Sequence, residues 1–262
     1  MNFFKSIIEN RKLIFQLGKN DFRNKFANTS LGAIWGFISP FVFMLTYVIV
    51  FQYILKTGSA GNYPFVVWYI PGMAMWMFLN DSITNCSNSI RNYSYLVKKV
   101  VFPVDVIPII SMVSTAVVSI FLFLIAIIVC IAFGFLPNIL MLIYFILAAI
   151  CFLIAVTRFT SAVTTLVPDF SQLLIVVMQL MFWLTPIIWN LSMIGEGILG
   201  KIVRCSPFTY LVTGFREVFI DGNIVTSGHY VYTIVFWVVT VFMFIWGNYI
   251  FNKNKKDFAD VL

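Results

Sequence analysis

The stretch NYSYLVKKVVFPVDVIP, Asn92 to Pro108, lies between two long apolar runs and carries two adjacent lysines, a lone aspartate and two prolines. In a chain otherwise suited to lipid, such an island has to lie in water, so its side of the membrane fixes the direction of its neighbours. Asn92 to Val101 suits one short helix. Tyr95, Leu96 and Val100 then stand out for a partner, with Lys98 and Lys99 at one end. Pro103 stops the helix, because proline lacks the backbone donor and its ring clashes with the preceding turn. Asp105 falls at the start of the next run, where a carboxylate suits the positive end of the helix dipole. An ordinary basic loop would account for the lysines but not for the aromatic and proline pattern.

The flanking chain explains why the island stands out. Of 262 residues, 61% are hydrophobic and 10% charged. Mean hydropathy is +0.97. Soluble domains are about 45–50% apolar and about 25% charged, so this is an integral membrane protein, all-α by expectation. A span needs about 20 apolar residues, and six runs qualify: Leu31 to Leu55, Pro64 to Asn88, Val106 to Phe133, Ile139 to Thr160, Phe170 to Trp189 and Tyr230 to Phe251. GFLPN, Gly134 to Asn138, makes a tight turn between the third and fourth. With the N-terminus inside, thirteen of the seventeen Lys and Arg residues fall on the cytoplasmic side. That bias puts both termini in the cytoplasm. It also accounts for the net charge of +7 without a nucleic acid partner.

Residues 1–30 form a separate unit before the six-helix domain at 31–262. Phe4, Ile8, Phe15, Phe22 and Phe26 fall within about 40° of one another on a helix, with Lys5, Lys12, Lys19 and Arg23 on another side. This predicts an amphipathic helix on the inner leaflet, in contact with membrane lipid and broken at Gly18. The same moment suits a helix packed on protein. The charge in this region leaves no room for the apolar core of a signal peptide. Between spans five and six, Asn190 to Asn223 is too apolar for a free loop. Leu191, Ile194, Ile198 and Ile202 suit one short helix, and Leu211, Phe215, Val218 and Phe219 a second after Pro207. Neither can span, so both are expected as re-entrant or interfacial helices on the outer side.

Span two changes character halfway. Asn80, Asp81, Thr84, Asn85 and Asn88 occupy about 140° of arc, and Leu79, Ile83, Cys86 and Ile90 lie opposite. Polar groups within a span face a bundle interior or a water-filled cavity, so this face, with Trp76 one turn before it, is read as a pathway lining. Helix packing by hydrogen bonds is the plainer alternative. Arg158, at the inner end of span four, is expected to snorkel to the interface. GEGILGKI, Gly195 to Ile202, nearly matches a phosphate-binding loop. Ile202 replaces the hydroxyl residue, and no strand precedes it, so ATP is not expected here. Gly32 and Gly36 have the spacing for close helix packing, within the chain or between copies. Cys86, Cys130, Cys151 and Cys205 read as buried free thiols and His229 as an interfacial residue. No catalytic or metal-binding constellation stands out.

Four segments together resemble the permease subunit of ABC-2-type exporters, in the polysaccharide and teichoic-acid group. NDFRNKFANTSLGAIWGFISP resembles the lead into that family's first span. LVKKVVFPVDVIP is similar to its cytoplasmic segment, FWLTPIIW to the T-P end of span five, and SPFTYLVTGFREVF to its outer P…FR segment. VPDF, Val167 to Phe170, departs from the family's R-D pair by lacking the arginine. The resemblance implies a homodimer with two copies of an ABC ATPase, which bind the ATP and magnesium, and a lipid-linked polysaccharide cargo exported across the bacterial inner membrane. It makes Tyr95, Leu96, Lys98 and Lys99 the coupling contact to the ATPase. It assigns an outer gate to Pro186, Trp189, Pro207, Phe215, Arg216 and Glu217. An exporter of drugs or lipids, or a membrane enzyme acting on lipid-linked sugars, is the alternative.

Overall fold

The apolar runs become helices because a backbone in hydrocarbon has to satisfy its own hydrogen bonds. The computed structural model describes residues 3–27, 29–56, 59–60, 63–98, 102–195, 197–220 and 230–262. Lys99, Val100 and His229 lie outside them, as does the side chain of Phe4. Among the described residues the regular structure is helical apart from one short hairpin of two residue pairs, β1 (Ser59–Ala60) and β2 (Tyr63–Pro64). Four helical stretches among the described residues are long and apolar enough to cross a membrane: Gly32–Ile54, Val104–Ala132, Ile139–Leu166 and Tyr230–Asn254.

These stretches contain α3 (Trp35–Val48), α7 (Ile107–Ala132), α8 (Ile139–Leu166) and α12 (Tyr230–Asn254). Between α3 and α7 comes α4 (Phe65–Ser87), and between α8 and α12 comes α9 (Phe170–Leu184). Helix α4 has the length of a span, but its polar half dilutes its hydropathy. It is the central helix: α3, α7, α8, α9 and the later α11 (Pro207–Ile220) pack around it. Helix α9, at about 22 Å for its 15 residues, is shorter than the roughly 30 Å hydrocarbon core. The fifth run was expected to stay helical to Trp189. It stops at Leu184 because Thr185 turns extended and Pro186 lacks a donor. Conversely, α8 runs to Leu166, six residues beyond the expected Thr160.

Local chemistry sets the ends. Gly134, at φ +87, lets Phe135 N–H reach Cys130 O at 2.9 Å and Gly134 N–H reach Ile131 O at 2.9 Å, closing α7. Four residues later the Asn138 side chain accepts from Leu140 and Met141 N–H and opens α8. Two of the four cysteines, Cys86 and Cys130, are buried as expected, while Cys151 and Cys205 are exposed.

The N-terminal region is two helices, α1 (Phe3–Glu9) and α2 (Arg11–Lys25), and the break falls at Asn10 rather than at Gly18. Gly18 is instead the closest point between α2 and α7. A Cβ there would lie 2.7 Å from Val113 Cγ1 and 3.0 Å from the Ile110 carbonyl. Ile14, Gly18 and Phe22 form the buried face, whereas Ile8 and Phe15 are exposed. The expected apolar stripe therefore divides between a protein-facing side and an open one. Gly36 is covered by the Phe26 and Phe22 rings of the same chain, so its smallness serves intrachain packing. Gly32 has nothing near it and takes φ +57 in the turn before α3.

The opening stretch differs most from expectation. Of the helix expected from Asn92 to Val101, of which 99–101 lie outside the described residues, the structure shows two single turns, α5 (Ser89–Asn92) and α6 (Ser94–Val97). They are separated by Tyr93, which turns inward, and Val97 is buried too. Between α9 and α12 lie α10 (Ile198–Cys205) and α11 (Pro207–Ile220), and α13 (Phe258–Val261) ends the chain. Leu191 and Ile194 do not join α10, since Leu191 to Met193 make a separate 3-10 turn. The four predicted apolar residues of α11, Leu211, Phe215, Val218 and Phe219, are all buried.

Candidate functional site

The polar face of α4 is where the sequence placed it. Asn80, Asp81, Thr84, Asn85 and Asn88 are each half-buried, and Leu79, Ile83, Cys86 and Ile90 opposite them are fully buried. The upper part of this face opens into a cavity of about 310 Å³ between α3, α4 and α9. Trp76, Asn80 and Asp81 line it from α4, Phe43 and Tyr47 from α3, and Gln179, Phe182 and Trp183 from α9. The rings form a continuous wall: Phe182 lies 5.8 Å from Trp76 and 6.2 Å from Tyr47 between centroids. Asn80 Nδ2 donates to Asp81 Oδ1 at 3.0 Å. Thr84, Asn85 and Asn88 do not line the cavity. They continue its polar face toward α5, donating to carbonyls one turn back, Thr84 to Asn80 O at 2.8 Å and Asn85 to Asp81 O at 2.6 Å.

At the far end of the bundle from the termini, Arg216 of α11 is 4% exposed. Its Nη2 donates to Pro186 O at 2.9 Å and Ile187 O at 3.0 Å, the segment that ends α9. Its guanidinium carbon stands 3.6 Å from the Trp68 ring centroid of α4. Gly72, one turn on, leaves it room, since a Cβ there would come 2.5 Å from Nη2. Arg216 thus finds its hydrogen-bond partners within this chain. Glu217 is half-buried and lines a smaller pocket of about 150 Å³ with Arg216, Trp68, Tyr63 and Asn190. Trp189 Nε1 donates to Trp183 O at 3.0 Å, folding the extended segment back on α9. Pro207 starts α11, and Phe215 is packed 4.9 Å from Phe123 of α7. Pro186, Trp189, Arg216 and Glu217 thus meet at the 185–190 break, whereas Pro207 and Phe215 sit apart from it, at the start of α11 and against α7.

At the end of the bundle that carries the termini, Tyr95 and Lys98 are exposed and Leu96 is half-buried. Their backbone is held from both sides. Tyr93 donates its hydroxyl to Asp21 Oδ1 of α2 at 2.7 Å, and Lys25 sits 3.3 Å from the other oxygen. Burial first, and the Asp21 carboxylate next, push the Tyr93 hydroxyl above the ordinary phenol range, so it remains a donor. On the other side lies a charge cluster the sequence reading missed. Asp105 is 6% exposed, Arg158 Nη2 approaches its Oδ1 at 3.4 Å, and Lys255 Nζ closes on its Oδ2. Arg158 does not snorkel: it is 1% exposed, sandwiched between the Phe3 ring at 4.0 Å and the Phe251 ring at 4.3 Å. The signal was available, since Arg158 is the only charge in the 28 residues of α8. Its partner lies 53 residues away and left no local trace. Among the described residues no group of His, Cys, Asp or Glu comes together to hold a metal.

Residues 12–220 match the family described as ABC-2 type transporter. Two proteins of Klebsiella pneumoniae, each named O-antigen export system permease protein RfbA, are similar to this chain. One is 24% identical and the other 26%, and each alignment covers 95% of both chains. A Myxococcus xanthus protein of the same name is 21% identical over 98% of this chain and 97% of its own. With a match across most of its length and apolar helices throughout, this multi-pass membrane protein belongs to the ABC-2 type transporter family.

Proposed function

We propose that this chain is the permease subunit of an ATP-driven exporter that carries lipid-linked polysaccharide outward across the bacterial inner membrane. It acts as a homodimer on two separate ATPase subunits, which bind the ATP and magnesium. Six spans, carried by α3, α4, α7, α8, α9 and α12, leave both termini in the cytoplasm, in keeping with the distribution of Lys and Arg. The extended 185–190 segment completes the crossing that α9 begins. Tyr95, Leu96, Lys98 and Lys99 meet the ATPase, and α10 and α11 close the outer mouth as re-entrant helices, with Arg216 clamping the break after α9.

The observation that carries this reading is the cavity between α3, α4 and α9. Sugars present apolar ring faces and polar edges together, and a wall of Trp76, Phe182 and Trp183 beside Asn80, Asp81 and Gln179 offers both. The names of the relatives support a glycan cargo. The test is to reconstitute the permease with its ATPase in proteoliposomes and add lipid-linked polysaccharide. ATP turnover is expected to rise, and Asn80→Trp, which fills the cavity, is expected to reduce that rise by about tenfold. Stimulation by an amphipathic drug but not by the glycan would favour another cargo.

A further inference from the structure

We infer that the cavity between α3, α4 and α9 sorts its cargo by charge, accepting neutral or amino-bearing sugar units and turning away carboxylated or phosphorylated ones. This deepens the export reading above and rests on it. Of the eleven residues that line the cavity, Asp81 alone carries a formal charge, and none is Lys or Arg. Polar contact comes from the uncharged amides of Asn80 and Gln179 and the hydroxyl of Tyr47. Helix α4 itself contains no basic residue. The Asp81 carboxylate accepts a hydrogen bond from Asn80, and none of the ion pairs among the described residues involves it.

Lys25 of α2 acts on this carboxylate from outside the cavity lining but is itself paired with Asp21 at 3.3 Å, so a negative potential remains in a space walled by rings and thioethers, where the field weakens less than in bulk water. The aromatic faces act in the same direction. Their quadrupoles are negative at the face and attract cations. A neutral pyranose meets ring and amide surfaces with no Coulomb penalty, and an ammonium-bearing one gains. A uronic acid or a polyol phosphate meets repulsion at every repeat. In a twofold dimer the second copy adds a second Asp81. The cargo class that suits this chain is therefore a neutral or amino-sugar glycan, and a phosphate-bearing lipid carrier is expected to stay outside the cavity.

The first measurement uses no glycan. In full-length permease in nanodiscs, with the native cysteines replaced by serine, Gln179→Cys is treated with a cationic and with an anionic methanethiosulfonate, each rate normalised to a free thiol. The cationic reagent is expected to react at least about tenfold faster, and adding Asp81→Asn is expected to bring the ratio to within about twofold. Trp183→Cys gives an independent reading, and Asp81→Glu, which keeps the charge, is expected to keep the ratio if Asp81→Asn does not fold. Equal rates in the parent, or a ratio unmoved by Asp81→Asn, overturn the proposal. In the second measurement, the permease–ATPase complex is offered lipid-linked glycans of equal length built from glucose or from glucuronate. Stimulation by the neutral glycan alone supports charge sorting. Equal stimulation overturns it while leaving the export reading intact. Stimulation by neither, with the thiol ratio as expected, overturns the export reading and this one with it.

Discussion

Two arginines show how a buried cation is accommodated. Arg216 donates through one nitrogen, Nη2, to two backbone carbonyls while its planar guanidinium stacks on the Trp68 ring, a stacking that lysine cannot reproduce. Arg216→Ala leaves the Pro186 and Ile187 carbonyls without their donor, and a loss of about 1–3 kcal/mol for each group so exposed is the expected scale. Thermal unfolding in detergent measures it; an unchanged midpoint would mean the clamp does not hold the break. Arg158 is held by Asp105 and two phenyl rings instead. Asp105→Asn removes the charge partner of a buried guanidinium and is expected to cost about 3–5 kcal/mol, with part of it regained when Arg158→Met is added. Additive effects in that cycle would contradict the pairing. The resemblance marked Arg216 as a gate residue. It could not name the partner, since a carbonyl carries no residue identity. Arg158 was read as an interfacial residue because helix position was visible and the distant carboxylate was not.

Helices were legible wherever hydropathy alone decides them. The runs that became α3, α7, α8 and α12 were found with boundaries off by a few residues, and the polar face of α4 was found with its members. Boundaries failed where the backbone decides: Thr185–Pro186 ends α9 inside a run that stays apolar to Trp189. The Asn92 to Val101 segment failed for another reason. Its helix periodicity is real, but Tyr93 turns inward to Asp21, 72 residues earlier, and splits it into two turns. Among the described residues Tyr95 and Lys98 are exposed and Leu96 is half-buried, on turns tied to α2 through Tyr93 and packed against α13. Leu96→Asp is expected to weaken co-purification of the ATPase by about tenfold, or about 1.4 kcal/mol, while the permease stays folded. Undiminished co-purification would place the ATPase contact elsewhere.

At the scale of the molecule, α4 gives the fold its logic. One half packs α7, α8 and α11 around it, and the other presents a polar face whose upper end is the aromatic cavity. The 185–190 break stands at one end of α4 and the α5–α6 turns at the other. The most direct test of the central claim is to remove the chain from its native cell and locate the lipid-linked polysaccharide. The account predicts that surface glycan is lost while completed glycan accumulates on its lipid carrier on the cytoplasmic face, and that the intact chain restores export. Normal surface glycan, or a failure to make the lipid-linked glycan at all, would contradict it.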